Sequence, residues 1–320
     1  MSTLKALFEL LTSQSFYAAA IVAGTPLLFA TLGEILNEKV GNLNLGVEGM
    51  MLMGAVMGFM VGLKTGNPLL ALAAAMLAGG FGAGIYAYLT ISLRANQVVS
   101  GLALTIFGTG FAGFLGQSLV GQVAPDAIKT FFAPIAIPII NKIPFFGPIL
   151  FRQDPFVYFG YIMAVAIGIY FYKTSVGLNM LSIGENPNAA DAVSINIRVY
   201  KYVHIIAGGA MCGLGGAYLS IVAVPAWQDN VTAGRGWIAV ALVIFAAWNP
   251  YKALIGAYLF GGLDIVGFRI QGTGIQVSQY VIDMLPYLVT IVILVVVSFR
   301  KSKKNAPPKA LGNPYYREER

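Results

Sequence analysis

The chain has 320 residues, of which 58% are hydrophobic and only 10% are charged, and its mean hydropathy is +0.76. A soluble domain needs about 25% charged residues to cover its surface, so this composition excludes a soluble fold and predicts an all-α polytopic membrane protein. With a single cysteine (Cys212) and a single histidine (His204), the sequence offers no disulfide framework and predicts no metal site.

Apolar segments taken in chain order predict about nine transmembrane helices (8–10), since one crossing needs about 20 apolar residues. We expect an interfacial helix over residues 1–15, a transmembrane domain over 16–299 and a basic tail over 300–320. The 237–248 segment is short, so it either extends upstream through Gly234–Gly236 or belongs to a broken helix. The predicted helices cover 16–36, 43–64, 69–92, 97–120, 155–172, 202–224, 237–248, 253–269 and 280–299.

The net charge of +7 is concentrated in the tail, where seven Lys or Arg residues follow position 299 against two Glu residues. A basic tail can bind nucleic acid, but in a membrane protein the positive-inside rule explains it by placing the C-terminus in the cytoplasm, in contact with anionic membrane lipids. We therefore predict no nucleic-acid partner. Counting helices back from the tail places the 173–201 loop and residues 37–42 in the cytoplasm and the proline-rich 121–154 loop outside.

Residues 67–80 are repeated as residues 249–262. The two copies are offset by 182 residues (249 − 67) and share eight identical positions without a gap, from Asn-Pro at the start to Gly-Gly at the end. In the predicted topology the first copy starts outside and the second starts in the cytoplasm. We therefore expect an inverted internal repeat, which many transporters have and in which substrate is handled between the two halves.

A short polar segment, Gly184–Ile197, lies between long apolar helices within the 173–201 loop. Asn186 is a good N-cap, Pro187 suits the first helical position, and Ala189 and Ala190 favour a helix. A stiff loop helix of this kind is what a separate motor protein could push. An ordinary capped loop helix has the same sequence features, so the residues alone leave both interpretations open.

Two acidic residues are predicted within the membrane. Glu48 is expected close to the cytoplasmic side, where a carboxylate is costly unless it is paired or hydrated. It is either a functional group or a buried acceptor for backbone N–H groups freed at Gly46 and Gly49. Asp264 follows the Gly-Gly of the second repeat, and it is either a structural partner of a polar group or part of a transport path.

Polar and aromatic residues near the predicted helix ends are further candidates. Asn44 and Asn96 could bind a polar ligand or hydrogen-bond neighbouring helices together. Trp227 and Trp237 flank a predicted outside loop. Interfacial anchoring explains such tryptophans, although an aromatic ring at a cavity mouth could also stack on a nucleobase.

Four segments together resemble the permease subunits of ABC importers for simple sugars and nucleosides, which are related to the branched-chain amino-acid permeases. The likeness covers residues 16 to 299, and it looks closest to the nucleoside branch because of the NLGVEGMMLMGA run. The four segments are GNLNLGVEGM (Gly41–Met50), NQVVSG (Asn96–Gly101), the coupling-loop core within Gly184–Ile197, and GRGWIAVALVIFAAWNP (Gly234–Pro250).

The resemblance implies a non-catalytic subunit that moves nucleosides or simple sugars into a prokaryotic cell across its plasma membrane. It implies no cofactor in this chain, because ATP and Mg²⁺ are bound by a partner ATPase; the chain indeed lacks the G-x-x-x-x-G-K-[ST] motif. The implied partners are that ATPase, a second homologous permease in a heterodimer, and an extracellular substrate-binding lipoprotein, with membrane lipids around the helices.

The candidate site residues follow from these expectations, and none is catalytic. The predicted substrate pathway comprises Asn44, Glu48, Asn96 and Trp237. The predicted ATPase-coupling residues are Gly184, Glu185, Asn186, Pro187, Asn188, Ala189 and Ala190.

Two other functions are compatible with a polytopic chain. An ion-coupled secondary transporter would use Glu48 and Asp264 as proton or sodium sites, and the repeat fits this alternative as well as it fits an ABC permease. An intramembrane enzyme would need a clustered nucleophile and base or a metal pair, and the sequence contains no such cluster.

Overall fold

The computed structural model describes residues 12–138, 140–271, 278–299 and 306–316. Helices dominate this part of the chain. Two of the long helices, α3 and α10, continue as π-helical turns over Tyr88–Ser92 and Tyr218–Ala223. The helices are α1 (Gln14–Lys39), α2 (Val47–Thr65), α3 (Pro68–Ala87), α4 (Gln97–Gly116), α5 (Asp126–Phe131), α6 (Phe146–Leu150), α7 (Pro155–Lys173), α8 (Ser175–Glu185), α9 (Pro187–Ala192), α10 (Ile197–Ala217), α11 (Arg235–Phe245), α12 (Pro250–Gln271) and α13 (Gln279–Phe299).

Side-chain caps fix where many of these helices begin. The first N–H groups of a helix have no partner within the helix. Asparagine or aspartate oxygens accept them at the starts of six helices. These residues are Asn67, Asn96, Asp154, Asn186, Asn196 and Asn249.

Seven helices within the described ranges are long and apolar enough to cross a membrane, and they form an inner and an outer group. In α1, α10 and α2, 83%, 78% and 72% of the most apolar stretch is buried, against 28–39% in α3, α4, α7 and α12. The first three therefore form the centre of the bundle, and the other four surround it. Seven of the nine predicted crossings match these helices, with boundary shifts of a few residues at most of them. The count of nine is therefore not confirmed within the described ranges.

Small residues allow α10 to touch both α2 and α3. A Cβ on Gly54 would meet the backbone of Gly213 at 2.3 Å, and one on Gly79 would meet the carbonyl oxygen of Gly209 at 2.2 Å. Such close approach of backbones is a common way for helices to pack in lipid. The glycine-rich stretches of α3 and α10 thus serve packing.

The loops meet at two ends of the bundle. We call the first the tail end, because residues 306–316 of the tail lie there. The backbone N–H of Ala310 donates to the carbonyl of Gly184 (2.9 Å), and the Arg94 guanidinium lies 4.6 Å from the centre of the Tyr316 ring. At the other, the backbone N–H of Trp227 donates to the carbonyl of Gln122 (3.0 Å). The loops that the charge pattern assigned to the cytoplasm therefore cluster together, and the 121–154 loop lies at the opposite end.

The 121–154 loop is irregular, which is consistent with its many prolines. It contains α5, α6 and a pair of two-residue antiparallel strands, β1 (Ile135–Ala136) and β2 (Arg152–Gln153). The expected anchoring role of Trp227 is wrong, because this residue is only 2% exposed and its indole fills the space beside Gly116.

Two predicted helix boundaries, the end of α1 and the start of α2, need correction. Helix α1 continues to Lys39, so residues 37–39 belong to the helix and not to a loop. Helix α2 begins at Val47 and not at 43, because side chains of neighbouring helices bind the preceding backbone in a non-helical form. Of the predicted interfacial helix over 1–15, residues 1–11 lie outside the described ranges; residues 14 and 15 belong to α1.

The segment predicted at 237–248 is part of a broken helix. Residues 224–234 contain no α-helix, and α11 has only 11 residues from Arg235 to Phe245. At about 1.5 Å per residue it is roughly 16 Å long, about half of the hydrocarbon thickness. The chain therefore enters the bundle without helical structure and becomes helical only inside it.

Candidate functional site

The N-terminus of α11 lies deep inside the bundle. Gly49, beside Glu48, packs against the backbone of Leu104, and Gly108 packs against Gly49. Leu104 and Gly108 lie in the middle of α4, which runs from 97 to 116. Glu48 is therefore at mid-depth and not close to the cytoplasmic side as expected.

The Glu48 carboxylate binds the start of α11. One oxygen accepts hydrogen bonds from the Thr232 hydroxyl (2.5 Å) and the Gly234 backbone N–H (2.8 Å), and the other accepts from the Gly236 N–H (2.6 Å). Glu48 also belongs to the first turn of α2. Because helix N-termini have partial positive charge, one carboxylate that is 5% exposed stabilises two of them.

Glycine is required where these two segments touch. A Cβ on Gly236 would lie 2.5 Å from the backbone of Glu48, and Gly234 has a left-handed φ of +83°. The NLGVEG and GRGW segments, which sequence analysis treated as separate motifs, thus form one site. Of the two roles left open for Glu48, the structure shows a buried acceptor, but its donors are residues 232–236 and not the N–H groups at Gly46 and Gly49. Its place in a substrate pathway stays a prediction.

An ion pair lies beside this site. Arg235 donates to the Asp264 carboxylate at 3.1 Å, and both side chains are about one fifth exposed, at 22% and 19%. The same guanidinium also donates to the carbonyl of Thr232 at 3.4 Å. Asp264 therefore joins α12 to the start of α11, which is the structural role that the sequence left open for it.

Asn44 lies on the non-helical segment before α2. Its side-chain oxygen accepts from the Gly46 backbone N–H (2.8 Å), and its backbone N–H donates to the Glu34 carboxylate (3.0 Å). Neighbouring residues are held in the same way: the Leu43 N–H donates to the Gln97 side chain (2.8 Å), and the Tyr86 hydroxyl donates to the Leu43 carbonyl (2.6 Å). Asn44 thus helps to fasten this segment to its neighbours.

The other two predicted pathway residues lie apart from each other. Trp237 follows Gly236 in the first turn of α11 and is 37% exposed. Asn96 is the exposed N-cap of α4 at the tail end, bound to the Val99 N–H at 3.1 Å. Since the contacts of Glu48 with α4 lie 8 to 12 residues further along the helix, Asn96 is roughly 12–18 Å away in depth.

Two buried acidic residues of α1 were not among the predicted site residues. Glu34 binds Asn44, as described above, and the Asn37 side chain (2.8 Å), and Glu38 accepts from the indole N–H of Trp248 at 2.5 Å. Both are at most 2% exposed. The i, i+4 spacing of two carboxylates near the end of an apolar run is the signal that could have revealed them, but the predicted helix ended at residue 36.

The Gly184–Ile197 segment contains the capped helix that its sequence predicts. The Asn186 side chain accepts from the Ala189 N–H at 3.1 Å, and α9 begins at Pro187. Ala190 is 2% exposed and faces the protein. Four residues on the outer side are exposed: Glu185, Asn186, Asn188 and Ala189.

Gly184 anchors this segment to α1. A Cβ at Gly184 would lie 2.1 Å from the carbonyl oxygen of Lys39, so only glycine permits this contact. The carbonyl of Gly184 accepts the N–H of Ala310 from the tail. The segment is thus held by α1 and the tail on its inner side, while its outer side is exposed.

Long apolar helices around a broken helix, whose N-terminus is bound by a buried carboxylate, are a construction typical of membrane transport proteins. Residues 16–296 match the family described as branched-chain amino acid transport system, permease component, and the chain belongs to this family.

Similar proteins cover nearly the whole chain. NupQ of Bacillus subtilis, named a guanosine ABC transporter permease, is 34% identical over 94% of this chain and 96% of its own length. NupC of Lactococcus lactis, named a nucleoside ABC transporter permease, is 31% identical over 88% and 92%. TsgC13 of Haloferax volcanii, provisionally named a glucose ABC transporter permease, is 36% identical over 94% and 97%.

The protein is therefore a permease subunit of ABC-importer type and a multi-pass membrane protein. It is not itself an enzyme, and the hydrolysis of ATP belongs to a separate ATPase subunit.

Proposed function

We propose that the chain moves nucleosides, or related simple sugars, into the cell by alternating access, and that a partner ATPase drives it through the 184–197 segment. The names of NupQ and NupC support nucleosides, and that of TsgC13 supports simple sugars. The observation that supports coupling is the short capped helix α9, whose inner residue Ala190 is buried while Glu185, Asn186, Asn188 and Ala189 face outward.

A continuous set of contacts connects this segment to the broken helix. Gly184 touches the end of α1 at Lys39. The neighbouring Glu38 is hydrogen-bonded to Trp248, which follows the C-terminal end of α11. The other end of α11 is held by Glu48. A displacement of α9 by the ATPase would thus reach the centre of the membrane through packed, hydrogen-bonded elements.

The substrate pathway that we propose passes the start of α11. Glu48 and Trp237 lie at this start, and Asn44 supports the segment before Glu48. Asn96 lies at the tail end of the bundle, where we place the cytoplasmic opening of the pathway. Irregular backbone within a membrane is tolerated where it lines a cavity or is buried in protein, and the 224–234 segment meets the half-helix there.

An inverted repeat fits this mechanism. Asn67 and Asn249 both cap long helices, α3 and α12, with their side-chain oxygens. The start of α12 follows Trp248, which binds Glu38 at the tail end, whereas α3 starts at the opposite end, where Gly62 packs against Ile128 of α5. We propose that 67–80 and 249–262 are the two inverted copies and that about nine helices, counting α11 and α13, form the transmembrane domain 16–299.

The assembly that we propose follows the resemblance to ABC importers. The chain pairs with a second homologous permease as a heterodimer, binds an ABC ATPase at α9, and receives substrate from an extracellular lipoprotein. The tail end, with residues 300–320 and the coupling loop 173–201, faces the cytoplasm, in agreement with the positive-inside rule, and the membrane is the plasma membrane of a prokaryote.

A charge on the outer face of α9 tests the coupling. We expect Ala189→Glu to abolish uptake of radiolabelled nucleosides and co-purification of the ATPase, without loss of folded permease, because Ala189 is exposed. The matched control is Ala127→Glu, an exposed alanine on the equally short α5 at the opposite end. ATPase binding and uptake at wild-type levels in Ala189→Glu would refute the coupling role. Ala190 is unsuitable, because it is buried.

The ion-coupled alternative is less well supported by the structure. The Asp264 carboxylate is paired with Arg235, and Glu48 accepts three hydrogen bonds from protein donors. A protonophore separates the two functions: uptake that persists while ATP is maintained supports the ATP-driven importer, and uptake that stops under the same condition supports the ion-coupled carrier.

A further inference from the structure

A cavity of about 500 Å³ lies at the tail end, beside the coupling segment. Its walls come from four places: the α3–α4 connection with Arg94, the end of α9 with Asp191, the first turns of α10 with Arg198 and Lys201, and the tail with Tyr315. Small-molecule pockets typically measure about 300–1,000 Å³. The cavity is therefore large enough for a small organic ion.

The charges around this cavity are mostly positive. Arg94, Arg198 and Lys201 line it against one carboxylate, Asp191. That carboxylate already accepts a hydrogen bond from the Tyr315 hydroxyl at 2.9 Å. The three cationic side chains and the one carboxylate give the cavity a net charge of about +2. This balances the charge of a phosphate monoester, which is about −2.

Lys201 is the residue that most needs a partner. It is 4% exposed and lines the cavity, and within the described ranges its ammonium has no ion pair and no hydrogen bond. A buried ammonium is unfavourable unless it is paired. Arginine and lysine together are the usual protein ligands of phosphate oxygens.

We propose that this cavity binds a phosphate group, either of a soluble phosphate monoester or of an anionic lipid headgroup, through Lys201, Arg198 and Arg94. Lys201 lies in the second turn of α10, about 6 Å from its start, so the phosphate would lie at the level of the membrane surface. The site does not depend on which substrate the permease transports. If the proposed coupling role is correct, a bound anion would also hold α9 against α10 and the tail.

The full-length permease in detergent, stripped of lipid, provides the test. We expect glycerol 3-phosphate and inorganic phosphate to raise its melting temperature, relative to chloride at the same ionic strength, because a ligand that binds only the folded state stabilises it. Lys201→Met should weaken this binding by about tenfold or more, since charge-assisted hydrogen bonds are lost. The matched control is Lys252→Met, which removes an exposed lysine at the same end of the bundle.

The melting temperature without ligand separates a binding role from a structural one. Lys201→Met should melt at the same or a higher temperature, because it removes a buried unpaired charge while keeping the volume of the side chain. A lower melting temperature would show that Lys201 has a structural partner and would overturn the proposal.

Lipid nanodiscs distinguish the two sources of phosphate. Stabilisation by phosphatidic acid in a phosphatidylcholine disc, lost in Lys201→Met, together with no response to the soluble probes, assigns the site to a lipid headgroup. The opposite pattern assigns it to a soluble phosphate monoester. Equal responses of wild type and Lys201→Met to every probe would refute the site.

Discussion

Replacing Glu48 by glutamine tests whether its carboxylate stabilises the start of the broken helix. In the folded protein the N–H groups of Gly234 and Gly236 point at different oxygens of Glu48. Glutamine has only one acceptor oxygen, and its NH₂ group is a donor. Whichever way the amide is turned, one of the two backbone N–H groups faces another donor.

The expected cost has two parts. A buried donor without a partner costs about 1–3 kcal/mol. Loss of the negative charge at the helix N-terminus costs about 0.5–2 kcal/mol when the site is partly buried. We therefore expect Glu48→Gln to destabilise the protein by about 2–4 kcal/mol, which lowers the melting temperature of a chain of this length by about 3–6 °C.

The assay is thermal unfolding of the purified permease in detergent, followed by the amount of protein that remains monodisperse. The control is Glu185→Gln, which removes an exposed carboxylate and should change stability by less than about 0.5 kcal/mol. If Glu48→Gln melts within a degree of this control, the carboxylate does not hold the half-helix and the explanation is wrong.

Two further substitutions probe the same core. Gly236→Ala should reduce the yield of folded protein sharply, because its Cβ would lie 2.5 Å from the backbone of Glu48, whereas Gly80→Ala, whose nearest neighbour would be 3.5 Å away, should be tolerated in the same detergent-stability assay. Trp248→Phe should lower stability by about 1.5–3 kcal/mol in thermal unfolding, because it leaves the buried Glu38 carboxylate without its indole donor; an unchanged melting curve would contradict this bond.

The sequence predicted the local structure well, for identifiable reasons. Apolar runs of about 20 residues have few alternatives to a transmembrane helix. Asn-Pro at 67 and 249 and Asn186-Pro187 predict helix starts from short-range chemistry alone, and the caps form with those residues. The shortness of the 237–248 run left a broken helix as one of two interpretations.

The candidate site was predicted only in part. Glu48 stood out because a carboxylate within an apolar run is unusual, but its donors lie more than 180 residues further along the chain. No local pattern specifies such pairing. Glu34 and Glu38 were missed because polar residues near the end of a run look like the start of a loop.

The tail shows the same limit. Its charge predicted only which side of the membrane it prefers, whereas the structure packs residues 306–316 against Gly184 and Asp191. Charge fixes the side of a segment through a long-range field, but docking depends on the shapes of surfaces that exist only once the bundle has formed.

By itself, therefore, the sequence determined that this is a helical membrane protein, where most of its helices begin and end, and which permease family it resembles. These properties depend on hydropathy and on contacts within a few residues. Only the tertiary structure decided that Glu48 joins two helix N-termini at mid-depth, that Asp264 pairs with Arg235, and that Lys201 faces a basic cavity. Each of these depends on segments that are far apart along the chain and come together only in the folded bundle.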